Sequence, residues 1–158
     1  METAYIHTDI IIFPHMLSDI NNNLYREVVK RYSNRWTEEY GYIKDISPNI
    51  EIVSNIIQRD NIRIQFRVKC EIRRILPREG MVIKANITKV IPNGIFLTYE
   101  ECMHILVTKS DFSGVYNPKD ESFTVGGEIY KKDCKADIEI TKCKWTKDKF
   151  SIIGKFAN

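Results

Sequence analysis

At 158 residues and 43% hydrophobic content, the chain can bury a core in one medium domain or two small ones. Its 24 Lys and Arg against 21 Asp and Glu leave a net charge of +3, which excludes a general electrostatic binder of nucleic acid but permits a local basic face. No run approaches the ~20 apolar residues of a membrane helix, so no membrane partner is expected.

The start from Met1 to Asp9 lacks the basic-then-apolar layout of a secretory signal, and the expected compartment is the nucleus or cytoplasm. Cys70, Cys102, Cys134 and Cys143 are scattered without a Cys-x-x-Cys pair. They are expected to be reduced and mostly buried, with no metal site and no cofactor.

Tyr5 to Phe13 ends in a continuous apolar run closed by Pro14, which predicts a strand buried on both faces. Leu17, Ile20, Leu24, Val28 and Tyr32 then recur at steps of three and four. That spacing predicts one amphipathic helix, with Asn21, Asn23, Arg26, Glu27 and Lys30 on its wet side. After Trp36, Tyr40-Gly41-Tyr42 opens a short strand, and Ser47-Pro48-Asn49 turns the chain before another at Ile50 to Val53.

From Ile62 the pattern is strict. Ile62, Ile64, Phe66, Val68, Cys70 and Ile72 alternate with Arg63, Gln65, Arg67, Lys69, Glu71 and Arg73, the signature of a long strand with one face on a core. Leu76-Pro77-Arg78-Glu79-Gly80 breaks it. Residues 1–77 therefore read as a helix on an antiparallel sheet, and residues 78–158 as a separate all-β domain. Beyond Met81 only short alternating runs remain, separated by Pro92-Asn93-Gly94, Asn117-Pro118 and Gly126-Gly127. Five strands closing into a small barrel are expected there, giving an α+β, mostly β, fold class.

On the first barrel strand Ile83, Ala85 and Ile87 share one parity, and Lys84, Asn86 and Thr88 the other. On the next, Ile95 and Leu97 go inward, so Phe96 goes outward; His104 has the outward parity on the third. An aromatic platform beside lysines grips single strands by stacking, at about 1–3 kcal/mol per base. Lys84, Phe96, His104, Lys142, Lys144 and Trp145 are the candidate RNA-binding residues, with phosphate contacts that sense no sequence. The competing reading packs Phe96 under the segment from Ser113 to Gly127 and makes Trp145 structural. Asp and Glu are strewn over strands and turns with no carboxylate-histidine spacing, and no phosphate loop, dinucleotide glycine fingerprint or nucleophile elbow occurs, so no catalytic residues are predicted.

Gly80-Met81-Val82-Ile83-Lys84-Ala85-Asn86-Ile87, Pro92-Asn93-Gly94-Ile95-Phe96-Leu97 and His104-Ile105-Leu106-Val107 together resemble an S1-type OB domain. Preceded by a strand, a helix, Tyr40-Gly41-Tyr42-Ile43 and a long strand ending in Pro77-x-x-Gly80, the whole chain resembles the RNA polymerase stalk subunits, namely the seventh subunit of eukaryotic RNA polymerase II and its equivalent in the archaeal RNA polymerase. The resemblance implies a non-catalytic subunit whose N-terminal tip domain docks on the largest subunits and the clamp-side small subunit of a multisubunit polymerase. Its barrel would meet nascent single-stranded RNA or initiation factors. Trp36, Tyr40, Gly41 and Tyr42 are then the docking candidates, aromatic anchors being the usual source of interface energy; alternatively Trp36 and Tyr42 cap the domain's own core.

In that family a fourth-subunit-like stalk partner grips the outer strands. The segment between Asp111 and Glu128 and the C-terminus after Gly154 are short for it. Together with heavy use of isoleucine, asparagine and lysine, this fits a divergent viral version, located in a virion or viral factory. A free-standing S1-type single-stranded RNA-binding protein or translation-factor decoy is the alternative; it leaves the first half of the chain without a task.

Overall fold

The structure is a computed structural model that describes residues 1–57 and 62–157. The first strand, β1 (Glu2–Ile12), buries Ile6, Thr8, Ile10 and Ile12 but leaves Tyr5 and Ile11 exposed. Burial on both faces, expected from the apolar run, does not occur. An antiparallel sheet covered by one helix has one dry face, and Ile11 falls on the other.

A 3₁₀ turn, Pro14–Asp19, follows and hands over to α1 (Ile20–Tyr32). Proline suits this start because its missing N–H would have no helical partner there. The α-helix thus begins after Leu17, which stays exposed, while Leu24 and Val28 are fully buried. Each such apolar side chain contributes about 1.5–3 kcal/mol on leaving water. The helix end is tied to β1: the Thr8 and Tyr32 hydroxyls share a 2.9 Å hydrogen bond, and Arg31 donates to the Asp9 carbonyl at 2.8 Å.

Next come β2 (Arg35–Thr37), β3 (Gly41–Ile46), β4 (Glu51–Ile57) and β5 (Ile64–Ile75). The sheet order is β1-β5-β3-β2, with β4 also paired to β5, and these pairings are antiparallel. On β5, Phe66, Val68, Cys70 and Ile72 are buried while Arg67, Glu71 and Arg73 are exposed, as the alternation requires. Ile62 lies before the strand and is 57% exposed. Arg67 and Asp9, near neighbours across β1 and β5, form an ion pair at 3.1 Å that lowers the Asp9 carboxyl pKa.

The second half contains β6 (Val82–Ile91), β7 (Gly94–Tyr99), β8 (Met103–Thr108), β9 (Val115–Asn117), β10 (Ser122–Val125), β11 (Glu128–Tyr130), β12 (Lys135–Trp145) and β13 (Phe150–Phe156). Strands β12-β13-β8-β7-β6 close into a barrel, in which β13 and β8 run parallel. Among the described residues the fold is mostly β with one α-helix, and its five-stranded closure is consistent with an OB-like barrel. Closure leaves no edge, so Ile83, Ala85, Ile87, Ile95, Leu97 and Ile105 alternate cleanly into the interior.

Between β8 and β12 the chain forms a separate three-stranded sheet, β11-β10-β9. Its β10–β11 turn is the two-residue Gly126-Gly127 with φ of +57° and +86°, the left-handed pair that a tight hairpin demands. By contact density the chain forms two units, Met1–Leu76 and Pro77–Asn158.

Candidate nucleic-acid interface

The outer surface of the barrel follows from its registers. Lys142 pairs with Ile153, Ile153 with Leu106, Leu106 with Phe96, and Phe96 with Lys89. Their in-chain neighbours Ile152, Ile105, Val107, Ile95 and Leu97 are all buried, so this row faces outward. It is a band of three apolar side chains with a lysine at each end. Ile153 and Leu106 are half-buried and Phe96 is 38% exposed, unusual for a phenylalanine on the wet side of a barrel.

A second outward row runs beside it. Lys144 pairs with Ser151, the parallel register of Ile152 with Ile105 sets Ser151 beside His104, and His104 pairs with Thr98, which pairs with Asn86. Every member offers a hydrogen-bonding group. Phe96, His104, Lys142 and Lys144 thus share the outer surface of β7, β8 and β12, with β13 between the lysines and His104 and directly paired residues about 5 Å apart.

Lys89 joins this face through a backbone irregularity. The register between β6 and β7 shifts between Ile87 and Lys89, the mark of a bulge. Both Thr88 and Lys89 are exposed, and Val90 takes the inward place. Thr88 donates its hydroxyl to the Phe96 carbonyl at 3.1 Å, fastening the bulge to the strand that carries the aromatic ring.

Lys84 lies elsewhere. It sits opposite Asp137 on β12, at the end of β6 away from Phe96. Trp145 ends β12, half-buried, with its ring edge-on to Phe150 at 5.2 Å. In the segment from Ser113 to Gly127, Phe123 meets Tyr116 at 5.3 Å, and it meets Phe112, just before the segment, at 4.9 Å.

In the N-terminal unit Trp36 and Tyr42 are a cross-strand pair on β2 and β3, edge to face at 5.3 Å, and both are half-buried. Tyr40 packs against the unit's own core, and burial raises its hydroxyl pKa. Gly41 turns at φ +80°, where a Cβ would strike the Ile75 carbonyl.

A larger feature went unread in the sequence. All seven residues of β4 are exposed, with Val53 at 53% and Ile56 and Ile57 at 62%. Beside Ile52 and Ile62 they make an apolar ribbon of the kind that marks an interaction site. Its signal was Ile50 to Ile57 itself, apolar at both parities, which reads equally well as a strand buried on both sides.

Cys70, Cys102, Cys134 and Cys143 are free thiols; Cys70 is fully buried and the other three are half-buried. Among the described residues no three His, Cys, Asp or Glu side chains come together to hold a metal ion, and no helix is long and apolar enough to cross a membrane. Scanned against models of protein families and searched against curated proteins, the chain gave no match.

Proposed function

We propose that the protein is a non-catalytic stalk subunit of a DNA-directed RNA polymerase, docking through its N-terminal unit and offering an S1-type OB barrel to nascent single-stranded RNA. The observation that carries this reading is the outward row Lys142–Ile153–Leu106–Phe96–Lys89, an apolar platform with an aromatic ring and a cation at either end. Bases stack on such a ring without regard to sequence, while the lysines hold phosphates. The exposed ribbon of β4 supports the docking half of the reading. Its isoleucines would be covered by a partner, with the Trp36–Tyr42 pair as a second anchor.

The free-standing RNA-binding reading uses the same barrel face, and affinity purification from the native source separates the two. Recovery of the two largest polymerase subunits with the tagged chain is the expected result. Ile56→Lys with Ile57→Lys should abolish that recovery, whereas Phe96→Ala should retain it and weaken single-stranded RNA binding by about 1–3 kcal/mol. A chain recovered alone that binds RNA through Phe96 would overturn the stalk assignment in favour of the free-standing protein.

A further inference from the structure

A cavity on the barrel unit lies away from the Phe96 row. Where β6 and β12 meet the β10–β11 hairpin, a cavity of about 390 Å³ is lined by Lys84, Lys135, Asp137, Glu128, Tyr130 and Phe156. Val125, Gly126 and Ala136 complete the lining, so four of the nine residues carry charge, two of each sign, which disfavours an apolar ligand. The volume lies near the lower end of the ~300–1,000 Å³ range of small-molecule sites, room for one nucleotide-sized group.

One wall is aromatic. The Tyr130 ring stacks on Phe156 with centroids 4.7 Å apart and planes 31° apart, and Phe112 meets Phe156 edge-on at 5.3 Å. The Tyr130 hydroxyl donates to the Glu128 carboxylate at 2.7 Å. That carboxylate, with burial, pushes the phenol up to about 12, so the hydroxyl keeps its proton at neutral pH.

The two lysines are placed for one anion. Lys84 pairs with Asp137 and Asn86 with Lys135 across β6 and β12, which makes Lys84 and Lys135 diagonal neighbours on one face, about 7–8 Å apart. Among the described residues neither forms an ion pair. Ammonium groups on long flexible stems at that separation can close on the two sides of a phosphate. The carboxylates of Asp137 and Glu128 supply acceptors for sugar hydroxyls, the pairing by which an acidic side chain holds a ribose.

We propose that this cavity binds one nucleoside monophosphate unit, its phosphate between Lys84 and Lys135, its ribose toward Asp137 and Glu128, and its base against the Tyr130–Phe156 wall. The site shares no residue with the Phe96 row, and the inference stands whether or not that row binds RNA. The same chemistry could come from a free nucleotide or from the phosphorylated end of an RNA strand.

Amide chemical shifts of the isotope-labelled full chain test it, in titrations with adenosine 5′-monophosphate, inorganic phosphate, and a short single-stranded oligoribonucleotide bearing a 5′-phosphate. The mononucleotide should perturb Lys84, Glu128, Tyr130 and Lys135 saturably. Lys84→Ala with Lys135→Ala should weaken it at least about tenfold, since charge-assisted hydrogen bonds are lost. Both lysines are exposed, so the double variant should fold, as its unshifted barrel-core amides would verify. Perturbation of the same residues by the oligonucleotide identifies a strand end as a source; perturbation by the mononucleotide alone identifies a free metabolite; both support the site. No saturation at millimolar nucleotide, equal binding of phosphate alone, or indifference to the double variant overturns it. An oligonucleotide that shifts only residues around Phe96, with the cavity silent to mononucleotide, removes this site and leaves the RNA face standing.

Discussion

Lys89 shows how one residue's role depends on a neighbour's backbone. Counting by twos from Ile83 puts Lys89 on the core side of β6, where a charge has no partner. The bulge at Thr88 brings it out beside Phe96. The cue was present in the sequence, since a lysine at inward parity followed by Val90 signals a shifted register, but it needs the partner strand to become decisive. Phe96 and His104 needed no such help, because unbroken alternation on β7 and β8 determines their direction. Lys89→Ala should reduce the salt dependence of RNA binding by about one phosphate contact, measured as the slope of log affinity against log salt; an unchanged slope removes Lys89 from the interface.

Cys70 is a residue of the opposite kind. Burial pushes its thiol from the ordinary 9.0 up to about 11, so the fold favours the neutral form. A raised pKa means that the thiol's contribution to stability is intact below about 9 and is lost as pH rises toward 11. Cys70 should therefore be the last thiol to be alkylated, reacting only as the unit unfolds. Cys70→Ala should lower stability yet flatten its decline across that pH window. Early labelling of Cys70 in the native protein contradicts its burial. Gly41→Ala, forced into the left-handed region and against the Ile75 carbonyl, should lose at least about 1–3 kcal/mol in urea denaturation.

At the scale of elements, periodicity was a sound guide where a segment faces two different environments and a poor one where it faces one. β5 has a core side and a wet side, and its twelve-residue alternation was readable before any coordinate. β1 ends in Ile10-Ile11-Ile12, a run that implies two dry faces, yet α1 covers one face only and Ile11 is left in water. β4 is the extreme case, exposed throughout. Because Ile56 and Ile57 make few demands on the isolated fold, replacing both with lysine should change thermal stability by no more than about 0.5 kcal/mol per site. A large loss would mean that the ribbon is structural, and it would remove β4 from the docking proposal.

The helix start belongs to this scale too. The step of three from Leu17 to Ile20 does not distinguish an α-helical turn from the 3₁₀ turn that Pro14 initiates, because both bring residues three apart onto one side. Phe112, Tyr116, Phe123, Tyr130 and Phe156 come from five separate stretches, and their clustering depends on the fold of the β9–β11 sheet. No spacing in the chain announces it, which is why the nucleotide cavity was not legible beforehand.

At the scale of the molecule, the barrel's five strands return to one another without an edge, and their interior is filled by their own side chains. Residues 77–158 expressed alone should therefore give a β-type circular dichroism spectrum and a single cooperative urea transition. An unfolded fragment would show that the barrel requires residues 1–76. A closed five-stranded barrel was legible from short alternating runs between turn residues, but the added β9–β11 sheet was not: Asn117-Pro118 and Gly126-Gly127, expected to separate barrel strands, are turns of that sheet. Nor was the parallel pairing of β8 with β13, since its members are separated in sequence by the whole β9–β11 sheet.

The first unit's long ladder joins segments far apart in the chain: Glu2 aligns with Arg74, and Ile12 with Ile64. On a ribosome, β1 must emerge and wait unpaired until the codons for β5 have been read and their product has cleared the exit tunnel. During that interval its isoleucines are open to chaperones and to other nascent chains, so slowed translation between β1 and β5 should lower the soluble yield of this protein more than the same pause placed after Ile75.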